Sequence, residues 1–342
     1  MRTLHFEGNI KNVEYSPQLT SELESYRLDT FDVNQSRPFG LVTFADHLQT
    51  DEIAYAVWKT PKRTRTYPFA RMYNIYGRQT KRIAIIPIIK DEGADANNDM
   101  INFITFSWMN LLNIHVILSW FESASRVGDS RISNQRLNAN YICSKIDKIR
   151  SSQQSALHWN TAHFENDFVS VYQNAIEAYK RISVEEHVRL HSYKKHEQRL
   201  ERCAPRGIFD LQAFKTATLD SSFRAAMRES KVIHKLEQLS GAAKGVFTIS
   251  NYLGGSYHLT VDEVIPLGKH LILQEAKNST QSRLPAVDDI KDGLFKLILF
   301  RNLHSLKLDG VKMNFSVRLR LSGNFRGSLI LPGLEHEINT FL

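Results

Sequence analysis

Two strand-like runs on either side of one short turn set the tightest constraint on how this chain folds. Residues 254–279 read GGSYHLTVDEVIPLGKHLILQEAKNS. Apolar and polar residues alternate before Gly268, and an apolar run follows His270. Such patterns mark strands, and a Gly-Lys pair between them marks a hairpin. If Gly268-Lys269 is a two-residue loop, Gly268 takes the first loop position of a type II′ turn, where φ is positive and glycine is favoured. Leu267 then faces His270, Val264 faces Leu273, and Asp262 faces Glu275. A second register is open to the same residues. Pro266 starting a type I turn closed by Gly268 would slide Asp262 about four residues away from Glu275. Pro266 in the first register asks for an edge position or a bulge.

The first register has a chemical consequence. Directly opposed residues of an antiparallel pair lie about 4.5–5.5 Å apart on one face. Two carboxylates so placed repel, and a divalent cation shared by both is the natural remedy, because Mg²⁺ prefers carboxylate oxygen. Residues two apart on a strand share a face, so Lys277 joins Glu275 there. Its ammonium could orient a water or stabilise a developing negative charge. The plain alternative is a solvated hairpin end with an incidental salt bridge.

An Asp, a hairpin and then Glu-x-Lys resembles the PD-(D/E)XK nuclease superfamily, which includes most type II restriction endonucleases. Asp262 matches the first acid, and Glu275-Ala276-Lys277 match the E-x-K. The preceding LGGS (253–256) is similar to the glycine-rich approach to that acid in some restriction cleavage domains, and DDIKDGLFKLILF resembles the helix that packs behind the site. Val261 stands where the family has proline. The resemblance covers roughly residues 220–320. It implies Mg²⁺-dependent hydrolysis of a phosphodiester, with Asp262 and Glu275 holding the metal. Lys277 would position the attacking water or neutralise the pentavalent phosphorus, and the products would be a 5′-phosphate and a 3′-hydroxyl. A further acid on the helix before the hairpin would be Glu229 or Glu237.

The remaining sequence bears on partners. Net charge is +8, which favours a polyanionic partner. Much of the excess lies in Thr60–Arg82, TPKRTRTYPFARMYNIYGRQTKR, with seven Lys or Arg and no acid. Lys62, Arg63 and Arg65 are candidate phosphate contacts, with the interleaved aromatics against sugar or base; a solvated basic loop is the plain alternative. No GxxxxGK[ST] loop is present, so no nucleotide cofactor is expected. The two cysteines, Cys143 and Cys203, give neither a disulfide framework nor a zinc pattern and suit a reducing cytoplasm. Ile101–Phe121 carries no formal charge and is long enough to span a bilayer, but Asn102, Thr105, Asn110, Asn113 and His115 interrupt it. A buried helix followed by a buried strand fits better, with Trp108 and Trp120 in the core. His187 and His191, four apart on a helix, and the acids Asp91 and Glu92 at a strand end are weaker metal candidates.

The fold expected is α/β (mixed α+β). IAIIPIIK (83–90), a helix near 99–112 and IHVILSW form a strand–helix–strand unit. The stretch from about 123 to 240 reads as mainly helical, with a helix at Ser222–Leu239. Residues 1–204 form an N-terminal α/β and helical region that supplies DNA contacts. Residues 205–342 form a restriction-endonuclease-like core, a mixed sheet flanked by helices. The function expected is a type II restriction endonuclease acting on double-stranded DNA as a homodimer, since one D…ExK set per chain cuts one strand. A structure-specific repair or recombination nuclease on the same fold, or a non-catalytic nucleic-acid-binding protein, are the alternatives.

Overall fold

The computed structural model describes residues 3–15, 22–44, 51–61, 66–78, 80–218, 243–268, 270–324, 327 and 336. In chain order the first half contains strands β1 (Thr3–Ile10), β2 (Ser25–Arg27), β3 (Phe39–Thr43) and β4 (Glu52–Val57), helix α1 (Thr66–Tyr76), and strands β5 (Lys81–Pro87), β6 (Ile89–Asp91) and β7 (Asn98–Met100). Helix α2 (Phe103–Leu111), strands β8 (His115–Ser119), β9 (Phe121–Gly128) and β10 (Arg131–Leu137), and helices α3 (Ala139–Ser151), α4 (Ala156–Glu185) and α5 (Tyr193–Cys203) follow. A helix α6 covers residues 211–218. The last part holds β11 (Ala243–Asn251), β12 (Ser256–Leu267), β13 (His270–Asn278), α7 (Val287–Arg301), β14 (Leu303–Leu308), β15 (Val311–Lys312) and β16 (Asn314–Ser322). The protein is mixed α+β, as its pattern of elements indicated.

One sheet has the order β2-β3-β4-β5-β8, and β4, β5 and β8 run parallel. Strands covered on both faces read as unbroken apolar runs, and all five residues of β8 are buried. Helix α2 is buried on every side and is capped by the Asn102 side chain, which accepts from the Thr105 N–H at 2.9 Å. The uncharged segment is thus a core helix and a core strand, with Trp108 and Trp120 buried. Among the described residues no helix is long and apolar enough to cross a membrane.

The second sheet has the order β15-β14-β1-β11-β12-β13-β16. β1 lies parallel to β11, with Thr3 opposite Lys244, and antiparallel to β14. β15 and β16 lie at opposite ends of this order, yet only Met313 separates them in the chain. The sheet must therefore curl until its two margins meet along residues 311–322. Helix α7 packs on β13 and β16 and, on its other side, on α1, where Phe295 stacks on Phe69 with centroids 5.3 Å apart. The expected boundary at 204/205 accordingly does not divide the core. The N-terminal strand is built into the C-terminal sheet, and α1 and α7 share one apolar interface.

Two other expectations are corrected. The stretch after residue 123 begins as the two-stranded ribbon β9–β10, not as helix. His187 and His191 do not lie on one helix: α4 ends at Glu185, His187 adopts φ 49°, and α5 begins at Tyr193. The expected helix at Ser222–Leu239 lies outside the described residues.

Candidate active site

The hairpin adopts the register of the two-residue loop. Leu267 pairs with His270, Val264 with Leu273 and Glu263 with Gln274, where the pairing ends; Asp262 is the next residue of β12, at the point where the β11–β12 register shifts. Gly268 has φ 61°, the positive value a primed turn needs. Pro266 is exposed beside this turn, where its missing N–H costs little. The preceding LGGS forms the β11–β12 turn. Its Gly255 lies so close to α2 that a Cβ there would sit 2.1 Å from Ser107 Oγ, which only glycine avoids.

Asp262 is half-buried, and its Oδ2 accepts from the Ala276 N–H at 2.8 Å. The residue between Glu275 and Lys277 thus fixes the acid on the neighbouring strand. Glu275 is 3% exposed. Its Oε1 lies 3.4 Å from Lys277 Nζ, and its Oε2 lies 2.6 Å from Lys296 Nζ on α7. Gly293, one turn before Lys296, lets the helix come close. A Cβ there would meet Leu319 at 2.8 Å and the Lys277 stem at 3.3 Å. Glu275 and Lys277 therefore lie on the sheet face that α7 covers, and Asp262 is tied across to the residue between them. Gln274, on the opposite face, hydrogen-bonds Glu263, which also pairs with Arg320 at 3.6 Å.

Lys296 was not evident from the sequence, because it lies within an apolar helical stripe. The signal was its charge between Phe295 and Leu297, three residues after a glycine. Val287, the first residue of α7, is 56% exposed.

Among the described residues no group of three or more His, Cys, Asp or Glu side chains converges, so a divalent cation here would have only the hairpin carboxylates Asp262 and Glu275 to hold it. Mg²⁺ commonly takes one or two carboxylates and keeps several waters. A cation already sits at Glu275, the Lys296 ammonium, so the acid holds its charge inside the protein by pairing. Glu229 and Glu237 lie outside the described residues.

The other candidates have different roles. Lys62, Arg63 and Arg65 lie outside the described residues. Three aromatics of that basic stretch do not face solvent. Phe69, Tyr73 and Tyr76 line the buried side of α1, at 8%, 2% and 7% exposure, because their spacing follows the helical period. Asp91 is buried and ties a loop together. It accepts from Gly93 N–H at 2.8 Å and from His191 N–H at 2.9 Å, and its Oδ1 lies 2.8 Å from His191 Nδ1. Glu92 pairs with Lys90 at 2.6 Å. His187 and His191 do not share a helical face, so they form no metal pair. His163 Nε2 accepts from the Leu118 N–H at 2.9 Å while Nδ1 contacts Asp167 at 2.8 Å, a core arrangement with Lys145. Burial pushes Asp167 up, but its bonds to His163 and Lys145 outweigh this and hold it at about 2.

No family profile, curated protein or solved structure matches this chain.

Proposed function

We propose that this protein is a metal-dependent endonuclease that hydrolyses phosphodiester bonds of double-stranded DNA at a specific sequence, in the manner of type II restriction endonucleases. The observation that carries the reading is Asp262 accepting from the Ala276 N–H between Glu275 and Lys277, with Glu275 3.4 Å from Lys277, on a hairpin whose register follows the Gly268 turn. Mg²⁺ held by the two carboxylates would lower the pKa of a bound water and neutralise charge on the phosphate. The chain's own residues supply the rest. The Ala276 N–H holds the Asp262 carboxylate in place. Lys277 and Lys296 keep Glu275 as a fixed buried anion. Lys277, the more exposed of the acid–lysine pair, is placed to stabilise the negative charge that develops on phosphorus as water adds and the 3′-oxygen leaves.

The test is incubation with plasmid and Mg²⁺, then sequencing of the ends. Discrete fragments bearing 5′-phosphates are expected. A smear or cleavage only at branched substrates would favour a repair or recombination nuclease on the same fold. No nicking with Mg²⁺ or Mn²⁺ would leave a nucleic-acid-binding protein. A single D…ExK set per chain calls for a homodimer on a two-fold site, measured by sedimentation with and without duplex.

A further inference from the structure

A polar cavity of about 590 Å³ lies away from the hairpin, at the amino ends of the parallel strands β5 and β8. Its size falls in the range of small-ligand sites, roughly 300–1,000 Å³. Three connections build most of its wall. Tyr76 ends α1 and Arg78 follows it, Lys81 and Arg82 begin β5, and Gln154 with Ser155 form the turn between α3 and α4.

The charge of this wall is one-sided. It carries three cations, Arg78, Lys81 and Arg82, and no carboxylate. Lys81 Nζ donates to the carbonyls of Ile149, Arg150 and Ser152 at the C-terminus of α3, so it contributes charge rather than free donors. Arg82 donates from Nη1 to the Tyr76 carbonyl at 3.1 Å, and its guanidinium lies 4.4 Å from the centre of the Tyr76 ring. Tyr76 thus holds the plane of that fork. Arg78 is exposed, and its side chain makes no hydrogen bond or ion pair among the described residues. Asp51 acts on Lys81 from outside the wall and also pairs with Arg150 at 3.8 Å. Burial lowers the pKa of Lys81 and of Arg82 and outweighs the neighbours that raise it. Such a balance marks cations taken from water with too little negative charge to offset them. Gln154 and Ser155 add the amino end of α4, a helix of 30 residues, whose dipole has the same sign.

We infer that this cavity binds a phosphate monoester of nucleotide size, with its phosphate on Arg78 and Arg82 and its ester group along the uncharged part of the wall. Guanidinium forks match phosphate oxygens bidentately. A monoester carries about 1.5–2 negative charges at neutral pH, where a diester or a carboxylate carries one, and three cations favour the higher charge. A bare phosphate would leave most of the volume to water. The missing P-loop motif concerns a different cradle, one built from backbone N–H groups. Two sources carry the same chemistry, a free mononucleotide and the 5′-phosphorylated end of a strand. The inference needs neither metal nor cleavage, so it stands whether or not the hairpin cuts DNA.

The experiment is isothermal titration calorimetry of the full chain in metal-free buffer. The probes are deoxyadenosine 5′-monophosphate, deoxyadenosine, inorganic sulfate, and an adenine tetranucleotide with and without a 5′-phosphate. The variant is Arg78→Gln, at an exposed position whose side chain makes no polar contact, so the fold is not at risk. The charge-matched control is Lys312→Gln on β15, also exposed. The parent should bind the monophosphate at least tenfold more tightly than deoxyadenosine or sulfate. Arg78→Gln should weaken that binding at least fivefold, and Lys312→Gln by less than twofold. Tighter binding of the 5′-phosphorylated tetranucleotide than of the monophosphate assigns the cavity to strand ends, and the reverse order assigns it to free nucleotide. Four results would each overturn the inference: a parent that binds neither phosphate probe, sulfate bound as tightly as the monophosphate, a tetranucleotide that binds as tightly without its 5′-phosphate as with it, or equal losses in variant and control.

Discussion

Replacing Lys296 by methionine separates a metal site from a structural ion cluster. The substitution keeps the unbranched stem as far as Cε and removes the ammonium 2.6 Å from Glu275 Oε2. At an effective dielectric constant of about 20, that contact is a gross attraction of about 6 kcal/mol. Desolvation of both groups takes back most of it, because their side chains are only 16% and 4% exposed. Glu275 also keeps Lys277 at 3.4 Å. The net loss without metal therefore lies between a surface pair, about 0–1 kcal/mol, and a broken buried pair, about 3–5 kcal/mol, and we expect about 2 kcal/mol. A divalent cation would compete with Lys296 for the same oxygen. Removing the competitor should tighten Mn²⁺ or Mg²⁺ binding roughly tenfold, which adds about 1.4 kcal/mol of stabilisation at saturating metal. Urea unfolding of parent and variant, each in EDTA and in excess metal, measures all four stabilities. The variant's deficit should shrink by more than half when metal is added. A deficit that is the same with and without metal would refute the argument and return Lys277, Glu275 and Lys296 to the role of an ion cluster holding α7 to the sheet.

Three other outcomes follow from the same geometry. If the proposed activity holds, Asp262→Asn or Glu275→Ala should lower plasmid cleavage by at least about a thousandfold while duplex affinity in Ca²⁺ changes little, since phosphate-backbone contacts and the hairpin carboxylates are separable; parental rates in either variant would remove the hairpin as the active site. Neutralising Lys62, Arg63 and Arg65 together should make the salt slope of DNA binding shallower by about 2.7, three contacts at about 0.9 each, and an unchanged slope would make the run dispensable. Burial lowers the pKa of His196 to about 4, against about 6.5 in the unfolded chain, so between these values the unfolded state binds the extra proton and stability falls as pH drops from about 6.5 to 4, by up to about 3 kcal/mol. His196→Gln should flatten the urea midpoint over that window, and an equally steep acid loss in the variant would place the titration elsewhere.

The hairpin was legible because its signals are local. A glycine between two strand patterns fixed the turn, and the turn fixed which residues of β12 and β13 pair. α2, β8 and the first turn of α7, with Asp288 and Asp289, were legible for the same reason. The partner of β1 was not. Nothing in TLHFEGNI says that its neighbours begin at residues 243 and 303, because strand pairing depends on which edge is open when the chain folds. The ribbon β9–β10 was read as helix because both its faces are largely polar, which removes the period that separates strand from helix. The basic stretch misled in the opposite way. Its charges drew attention from Phe69, Met72, Tyr73 and Tyr76, whose helical spacing marked a buried face.

The position of β1 bears on how the molecule comes into being. Its Asn9 side chain bonds Ser250, 241 residues further along. Closing a loop of that length costs about 5 kcal/mol in chain entropy before any contact rewards it. During synthesis the first strand leaves the ribosome long before β11 and β14 exist, and it waits without partners while β2 to β8 form their own sheet. The acids at 262 and 275 sit in a sheet whose edge strand β16 is made last, so the curled sheet closes only once residues 314–322 have been synthesised. A ribosome stalled before residue 303 would release a chain whose β1 still lacks one of its two neighbours.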